Sequence, residues 1–315
     1  MKIAVTTPTG QIGRKLADEL LAERAHEVVL LARKPDQLAQ ERGQGARIEQ
    51  GDLEDEAFVK RATAGVDALF WLNPPNYQTT DFPAYYTRLA ECAASAISAN
   101  RINRVVLLSS VGAHLGRGVG PVNSFAEVER ILRTVSPHLT ILRPAFFMEN
   151  YVLSVPTIAQ AKSIFMPVSG TARVPMIATQ DIAHVAARTL ADTRWTGTRI
   201  LPLNGPKDYS FDEAAQILSK ALGEPVKHVT VKPEQAKQAL QQAGMSDHVI
   251  GLFLEMYDAI EQGRMKPEQP RNFESTTPTE FERFAKDVLA PAIRAAQGAS
   301  PAAASGRGTA KPAAR

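Results

Sequence analysis

The chain has 315 residues, 44% of them apolar and 22% charged, which suits one large or two modest globular domains with an ordinary core. Its formal charge of +3 is carried by the end: residues 291–315 hold Arg294, Arg307, Lys311 and Arg315 with no acid, leaving −1 on residues 1–290, and such a near-neutral body excludes direct, broad nucleic-acid binding. The single cysteine, Cys92, excludes an internal disulfide and a cysteine-based zinc site, and no early apolar stretch is long enough for a signal or spanning helix; a cytoplasmic protein with no membrane contact is expected.

The first element is an apolar run, Ile3-Ala4-Val5, short enough for a buried strand. A turn-rich segment, Thr6-Thr7-Pro8-Thr9-Gly10, follows it, and then Ile12, Leu16, Leu20 and Leu21 recur at helical spacing. Strand, glycine turn and helix in that order open a dinucleotide-binding βαβ unit, because free N–H groups and the dipole at a helix N-terminus favour a pyrophosphate. Gly10 lets the backbone approach the phosphates, and Gly13 lets the helix pack close to the strand. Thr7 stands where a full fingerprint has its first glycine, and two glycines alone also fit an ordinary βα turn.

A second strand, 26–32, ends at Arg33-Lys34-Pro35. A site selective for NAD places an acid about 20 residues past the glycines to hold the ribose 2′-hydroxyl. Two bases there suit a 2′-phosphate instead, so NADP(H) is favoured with NAD(H) as the second choice; the alternative is a solvated strand end. The pattern then predicts a helix over 37–43, a strand over 46–53 running into Asp52, and a helix over 56–64. A strand over 66–72 is broken by Asn73-Pro74-Pro75, and an Ala-rich helix over 86–100 buries Cys92 as a small apolar side chain. A fifth strand covers 104–110. Five strands alternating with helices imply a doubly wound parallel sheet whose ligands bind beyond the strands' carboxyl ends, where Asn73, Ser109 and Ser110 lie. The next loop, 111–120, has four glycines and is expected to be a mobile flap; its His114 is either a proton donor or an exposed loop histidine.

Beyond this, a helix over 182–192 is capped by Thr179 or Asp181, and Glu149 and Asn150 tie a strand end to the segment after it. Helices over 211–222, 233–243 and 249–262 alternate with a strand over 226–231. The division expected is a cofactor-binding domain over 1–150, a smaller C-terminal α/β substrate-side region over 151–290 that partly returns to the sheet, and a disordered Ala/Gly/Ser/Pro tail over 291–315. The histidines show no metal-like pairing, so no metal is expected.

The ordered series TPTGQIG, LARKP, EQGDLED, GVDALFWLNPP, NRVVLLSSVGA and LTILRPAFFMENY, continued by VPMIATQDIAHVAARTLAD, resembles the NmrA-like branch of the atypical short-chain dehydrogenases/reductases over residues 1 to about 290. The resemblance implies a Rossmann fold and either an NAD(P)H-dependent quinone or azo-dye reductase or a redox-sensing regulator without catalysis. It implies that Thr7, Thr9, Gly10, Gln11 and Ile12 line the pyrophosphate turn, with Arg33 and Lys34 near the 2′-phosphate. Asp52 and Leu53 would lie by the adenine, Asn73 and Pro74 by the central ribose region, and Ser109, Pro144 and Phe146 by the nicotinamide.

The wider superfamily uses Tyr-x-x-x-Lys, in which the lysine lowers the pKa of a proton-transferring tyrosine. None of the six tyrosines here has a lysine four residues on, so epimerisation, dehydration or alcohol oxidation through that pair is not expected. Relatives in the branch carry lysine in a Ser-Lys-Ala-Glu-Val-Glu segment, where this chain reads Ser124-Phe125-Ala126-Glu127-Val128-Glu129. A quinone or azo acceptor asks less, since hydride transfer needs stacked rings, excluded water and protons from solvent. Phe125, Phe147 and Tyr151, with Phe146, would form the aromatic wall against the substrate, and His114 and Tyr151 are the candidate catalytic groups. The expected partner is a small-molecule substrate, the alternative is a regulatory protein, and monomer and homodimer are both left open.

Overall fold

A computed structural model describes residues 1–298. It opens with strand β1 (Lys2–Thr6), helix α1 (Gln11–Glu23), β2 (Glu27–Ala32), a 3-10 turn (Pro35–Leu38), α2 (Ala39–Gly43), β3 (Arg47–Gln50) and α3 (Glu56–Ala62). Next come β4 (Ala68–Trp71), α4 (Phe82–Asn100), β5 (Arg104–Leu108), α5 (Asn123–Val135) and β6 (His138–Pro144). Helix α4 starts four residues before its expected first turn, because Asp81 accepts from the amide of Ala84 and Pro83 fits the first turn of a helix.

The five expected strands are joined by β6 and by β10 (Gly197–Leu203) in one sheet of order β3-β2-β1-β4-β5-β6-β10, parallel throughout. The strand order reverses between β1 and β4, and Thr6 ties the two there by accepting from the amide of Leu72 at 2.9 Å. Alternate residues of each strand face opposite layers, as a period of two requires. Ala4, Leu69, Trp71 and Leu107 meet α3, α4 and α5 in one core. Ile3, Val5, Phe70 and Val106 meet α1 and α7 (Thr179–Ala191) in another.

The remaining segments build a third core. The short β7 (Phe146–Phe147) pairs parallel with β9 (Arg173–Ile177), which pairs antiparallel with β11 (Asp208–Ser210). Helix α6 (Val155–Ala161), β8 (Ser163–Met166), α8 (Phe211–Leu222), β12 (Lys227–Thr230), α9 (Pro233–Gln242) and α10 (Asp247–Glu261) complete the region. Met148, Tyr151, Tyr209, Phe211 and Phe281 are buried in its centre. The described residues close with α11 (Phe281–Phe284), a π turn and α12 (Ala290–Gly298). Residues 291–298, expected to begin a disordered tail, are therefore helical, and Ile293 is fully buried. The rest of that expected tail, 299–315, lies outside the described residues. Among the described residues no helix is long and apolar enough to cross a membrane.

Candidate functional site

The turn after β1, where the strand order reverses, is the best defined part of the site. Thr7, in the place of a first glycine, has φ +53°, a left-handed conformation that glycine adopts without strain. The turn is closed by the amide of Gly10 donating to the Thr7 carbonyl at 3.0 Å. Helix α1 then begins with no side-chain cap and no acid in its first turn. The first amide with a main-chain acceptor is that of Arg14, bonded to the Gly10 carbonyl, so those of Gln11, Ile12 and Gly13 have no partner among the described residues. Three free N–H groups at the positive end of a 13-residue helix are a fitting cradle for a diphosphate.

The two glycines divide the work. A Cβ at Gly13 would come within 2.2 Å of the Thr7 carbonyl oxygen, so Gly13 is required by packing. At Gly10 the one atom within 4 Å of a Cβ is that same oxygen, at 3.4 Å, so the space above this exposed residue is open. Thr9 and Gln11 are exposed beside it, whereas Ile12 buries its side chain in the core and leaves only its amide for a ligand.

Arg33 and Lys34 follow β2 directly, both exposed and without an ion pair or side-chain hydrogen bond among the described residues. Asp52, expected near the adenine, is exposed and accepts from the Glu54 amide at 3.0 Å in a local turn. Leu53 turns its side chain into the core. Asn73 is 1% exposed and committed: its amide oxygen accepts from Trp71 Nε1 at 2.6 Å, and its nitrogen donates to the Tyr86 carbonyl. Pro74, half-buried, lies next to it.

At the ends of β5 and β6 lies a buried ionic network that sequence reasoning missed. Ser109 Oγ donates to Glu129 Oε1 at 2.6 Å, and Arg143 grips the same carboxylate through Nε at 2.9 Å and Nη2 at 2.5 Å. Its remaining Nη1 donates to Glu268 at 2.6 Å. Burial opposes the Arg143 charge, but Glu129 and Glu268 outweigh it and raise the guanidinium above its ordinary pKa. The signal was present: a charged residue inside the apolar strand Leu139–Pro144 needs a buried partner, and Glu129 interrupts the apolar face of α5. His114 Nδ1 is 3.7 Å from Glu268 and lines a small cavity with Arg143 and Pro202.

The loop expected to be a mobile flap is docked. Ala113, Val119 and Gly120 are buried, a Cβ on Gly120 would strike the Leu252 carbonyl of α10, and Arg264 donates to the Gly118 carbonyl. Nor do the expected aromatic residues form one wall. Phe125 is half-buried and packs edge-on against Tyr86 at 5.3 Å, while Phe146 meets Tyr151 at 6.1 Å and Phe211 at 5.7 Å in the third core. Phe147 leans on the core under α1 and α7. Pro144 is buried and its carbonyl accepts from the amide of Val111. Tyr151 is 2% exposed, its hydroxyl has no partner among the described residues, and burial raises its pKa.

Glu149, expected to tie its strand end to the segment after it, instead accepts from the amide of Thr179 at 3.0 Å and from Lys15 at 3.1 Å, tying α1 to α7. The cap of α7 is thus supplied in trans. Asp181 caps nothing in its own helix and holds the amide of Thr279 at 3.0 Å.

Comparison with known proteins places this arrangement. The NmrA-like family model matches residues 1–285. The chain belongs to the NmrA-like family. It is 28% identical to the NAD(P)H azoreductase of Xenophilus azovorans over 261 residues, 81% of this chain and 86% of that one. It is 26% identical to quinone oxidoreductase 2 of Escherichia coli over 246 residues, 78% of this chain and 83% of that one. The crystal structure of a Citrobacter sp. triphenylmethane reductase complexed with NADP(H) superposes with a TM-score of 0.75 at 23% identity, covering 90% of this chain and 99% of that one, which shows a shared fold. In this NmrA-like chain no lysine or arginine is bonded to Tyr151, whose ring neighbours are Phe146 and Phe281. Among the described residues no three His, Cys, Asp or Glu side chains are grouped as a metal ion would require.

Proposed function

We propose that this NmrA-like protein is an NADPH-dependent reductase of a small conjugated acceptor of quinone or azo type. The observation that carries the reading is the turn after β1: three unpartnered amides beneath an open Gly10, with the unpaired cations Arg33 and Lys34 at the end of the adjacent strand. The azoreductase and quinone oxidoreductase names of its relatives support the same class of chemistry.

In this reading the amides of Gln11, Ile12 and Gly13 bind the diphosphate, and Arg33 and Lys34 bind the 2′-phosphate by charge-assisted hydrogen bonds. When bound, the nicotinamide supplies the hydride. Ser109 donates its hydroxyl proton to Glu129, so toward a ligand its hydroxyl oxygen can only accept. Protons come from solvent, since nothing around Tyr151 lowers its pKa. A cytoplasmic location belongs to the same proposal.

The isolation of Tyr151 and the exchange of lysine for Phe125 also favour a second reading, a nicotinamide sensor acting through a protein partner. The test is a calorimetric titration with NADPH, NADP+ and NADH, then absorbance at the nicotinamide band with a naphthoquinone and an azo dye. The reductase reading predicts tighter NADPH than NADH binding and acceptor-dependent oxidation. Tight NADPH binding with no turnover across the acceptors would favour the sensor.

A further inference from the structure

Arg14 lies one turn into α1, a position that neither the glycine motif nor the strand-end bases bring into play. Its guanidinium reaches away from the diphosphate turn to two groups on the next segment. Nη1 pairs with Glu41 Oε1 at 2.6 Å, and Nη2 donates to the Gln37 carbonyl at 3.0 Å. Glu41 is 1% exposed and, among the described residues, its second oxygen has no partner, so its carboxylate rests on Arg14. Gln37 belongs to the 3-10 turn Pro35–Leu38, and its own amide donates to the carbonyl of Lys34. A chain of bonds therefore runs from the phosphate-binding helix through Arg14 and Gln37 to the backbone that carries Arg33 and Lys34.

We propose that Arg14 is the positioning residue for selectivity toward a 2′-phosphorylated cofactor, holding the loop from which Arg33 and Lys34 project without touching the phosphate itself. This rests on the reading of those two residues as the 2′-phosphate cations. Exposed arginine and lysine side chains lose rotamer freedom when held, so a fixed backbone is what lets two of them converge on one anion. The guanidinium fork does what a lysine cannot, because it holds a carboxylate and a carbonyl at once in fixed geometry.

That difference supplies the test. Arg14→Lys keeps a cation opposite the buried Glu41 carboxylate but gives up the fork to Gln37. NADPH and NADH dissociation constants are measured by calorimetry for the whole chain, together with Tm. We expect NADPH to bind about tenfold more weakly, NADH to bind as before, and Tm to stay close to that of the parent. Repeating Arg14→Lys in an Arg33→Ala/Lys34→Ala background should then produce no further loss, since the loop has nothing left to position. Equal weakening of both cofactors, or an unchanged NADPH-to-NADH ratio, overturns the positioning role. Glu41→Gln gives an independent check should Arg14→Lys fold poorly: it removes the carboxylate that anchors Arg14 and should narrow the same ratio, and an unaltered ratio counts against the proposal. A parent protein that binds no nicotinamide cofactor, or binds NADH more tightly, brings down the underlying reading instead.

Discussion

A Cβ on Gly13 would stand 2.2 Å from the carbonyl oxygen of Thr7, nearer than any side chain can approach a main-chain atom. The same oxygen is 3.4 Å from a Cβ on Gly10, an ordinary contact. The two alanine variants should separate accordingly. Gly13→Ala forces the turn and helix apart and should lower stability by about 1–3 kcal/mol, read as a fall in Tm. Gly10→Ala should leave stability within about 0.5 kcal/mol and weaken cofactor binding by tenfold or more, since the methyl fills the approach to the amides. A Gly10→Ala protein that binds the cofactor as the parent does would place the diphosphate elsewhere.

Thr7 has a conformation that its side chain disfavours. A left-handed φ costs a non-glycine residue about 1–2 kcal/mol, against the 0.5–1 kcal/mol or so of extra chain entropy that glycine loses on folding. Thr7 Oγ1 is also buried without a partner. Thr7→Gly should therefore raise Tm by about 1–4 °C and leave cofactor binding no weaker. A lowered Tm would mean that the threonine side chain stabilises the turn by a contact worth more than the strain.

The parallel sheet and the glycine turn after β1 were readable because they rest on local patterns: apolar runs bounded by turn residues, and two glycines at fixed spacing. Apart from the start of α4, which a local cap decides, these misses are cases where the deciding contact is remote in sequence. Glu149 caps α7 from 30 residues away, so the search for a cap among Thr179 and Asp181 could not find it. The loop 111–120 looked mobile from its glycines, yet Gly120 is there to admit the backbone of α10, 132 residues later. Residues 291–298 looked like tail by composition, but Ile293 buries itself in a core made by other segments. Phe146 and Tyr151 joined the third core for the same reason, while Phe147 joined the core under α1 and α7.

Asp18, one turn beyond Arg14, should show itself in the pH dependence of stability. Its carboxyl is raised above its usual pKa, first by burial and then by the nearby Glu41 charge, with Arg14 opposing. A raised acid is penalised in the folded state wherever it is ionised, so the penalty holds above its folded pKa and vanishes below the unfolded value of 3.8. Asp18→Asn should thus be more stable than the parent at neutral pH, with the difference shrinking as the pH falls through the acid range. Denaturant melts at several pH values check this, and a gain that grows toward acid would reverse the sign.

The Glu129–Arg143 pair should behave as a buried ion pair whose halves depend on each other. Both side chains are less than a tenth exposed, and Ser109 and Glu268 complete their hydrogen bonds. Glu129→Leu removes two of the three carboxylate bonds of the guanidinium, leaving it Glu268 alone, and should lower stability by about 3 kcal/mol. Adding Arg143→Met should recover part of that loss, and a double variant as unstable as the sum of the two singles would show that they do not act as a pair.

Tyr151 decides whether a side-chain acid takes part in the chemistry. Its hydroxyl is buried with no hydrogen-bond partner, its ring neighbours are Phe146 at 6.1 Å and Phe281 at 5.1 Å, and no cation is placed to lower its pKa. A buried unpaired hydroxyl costs about 1–3 kcal/mol, so Tyr151→Phe should raise stability by about 1 kcal/mol or more. If protons reach the acceptor from solvent, the same variant should keep kcat within about twofold of the parent. A proton-transferring tyrosine would instead lose about a hundredfold or more in kcat on removal of its hydroxyl. Such a loss at unchanged KM and Tm would mean that the hydroxyl meets the acceptor in the working complex, and that the third core opens to let it do so.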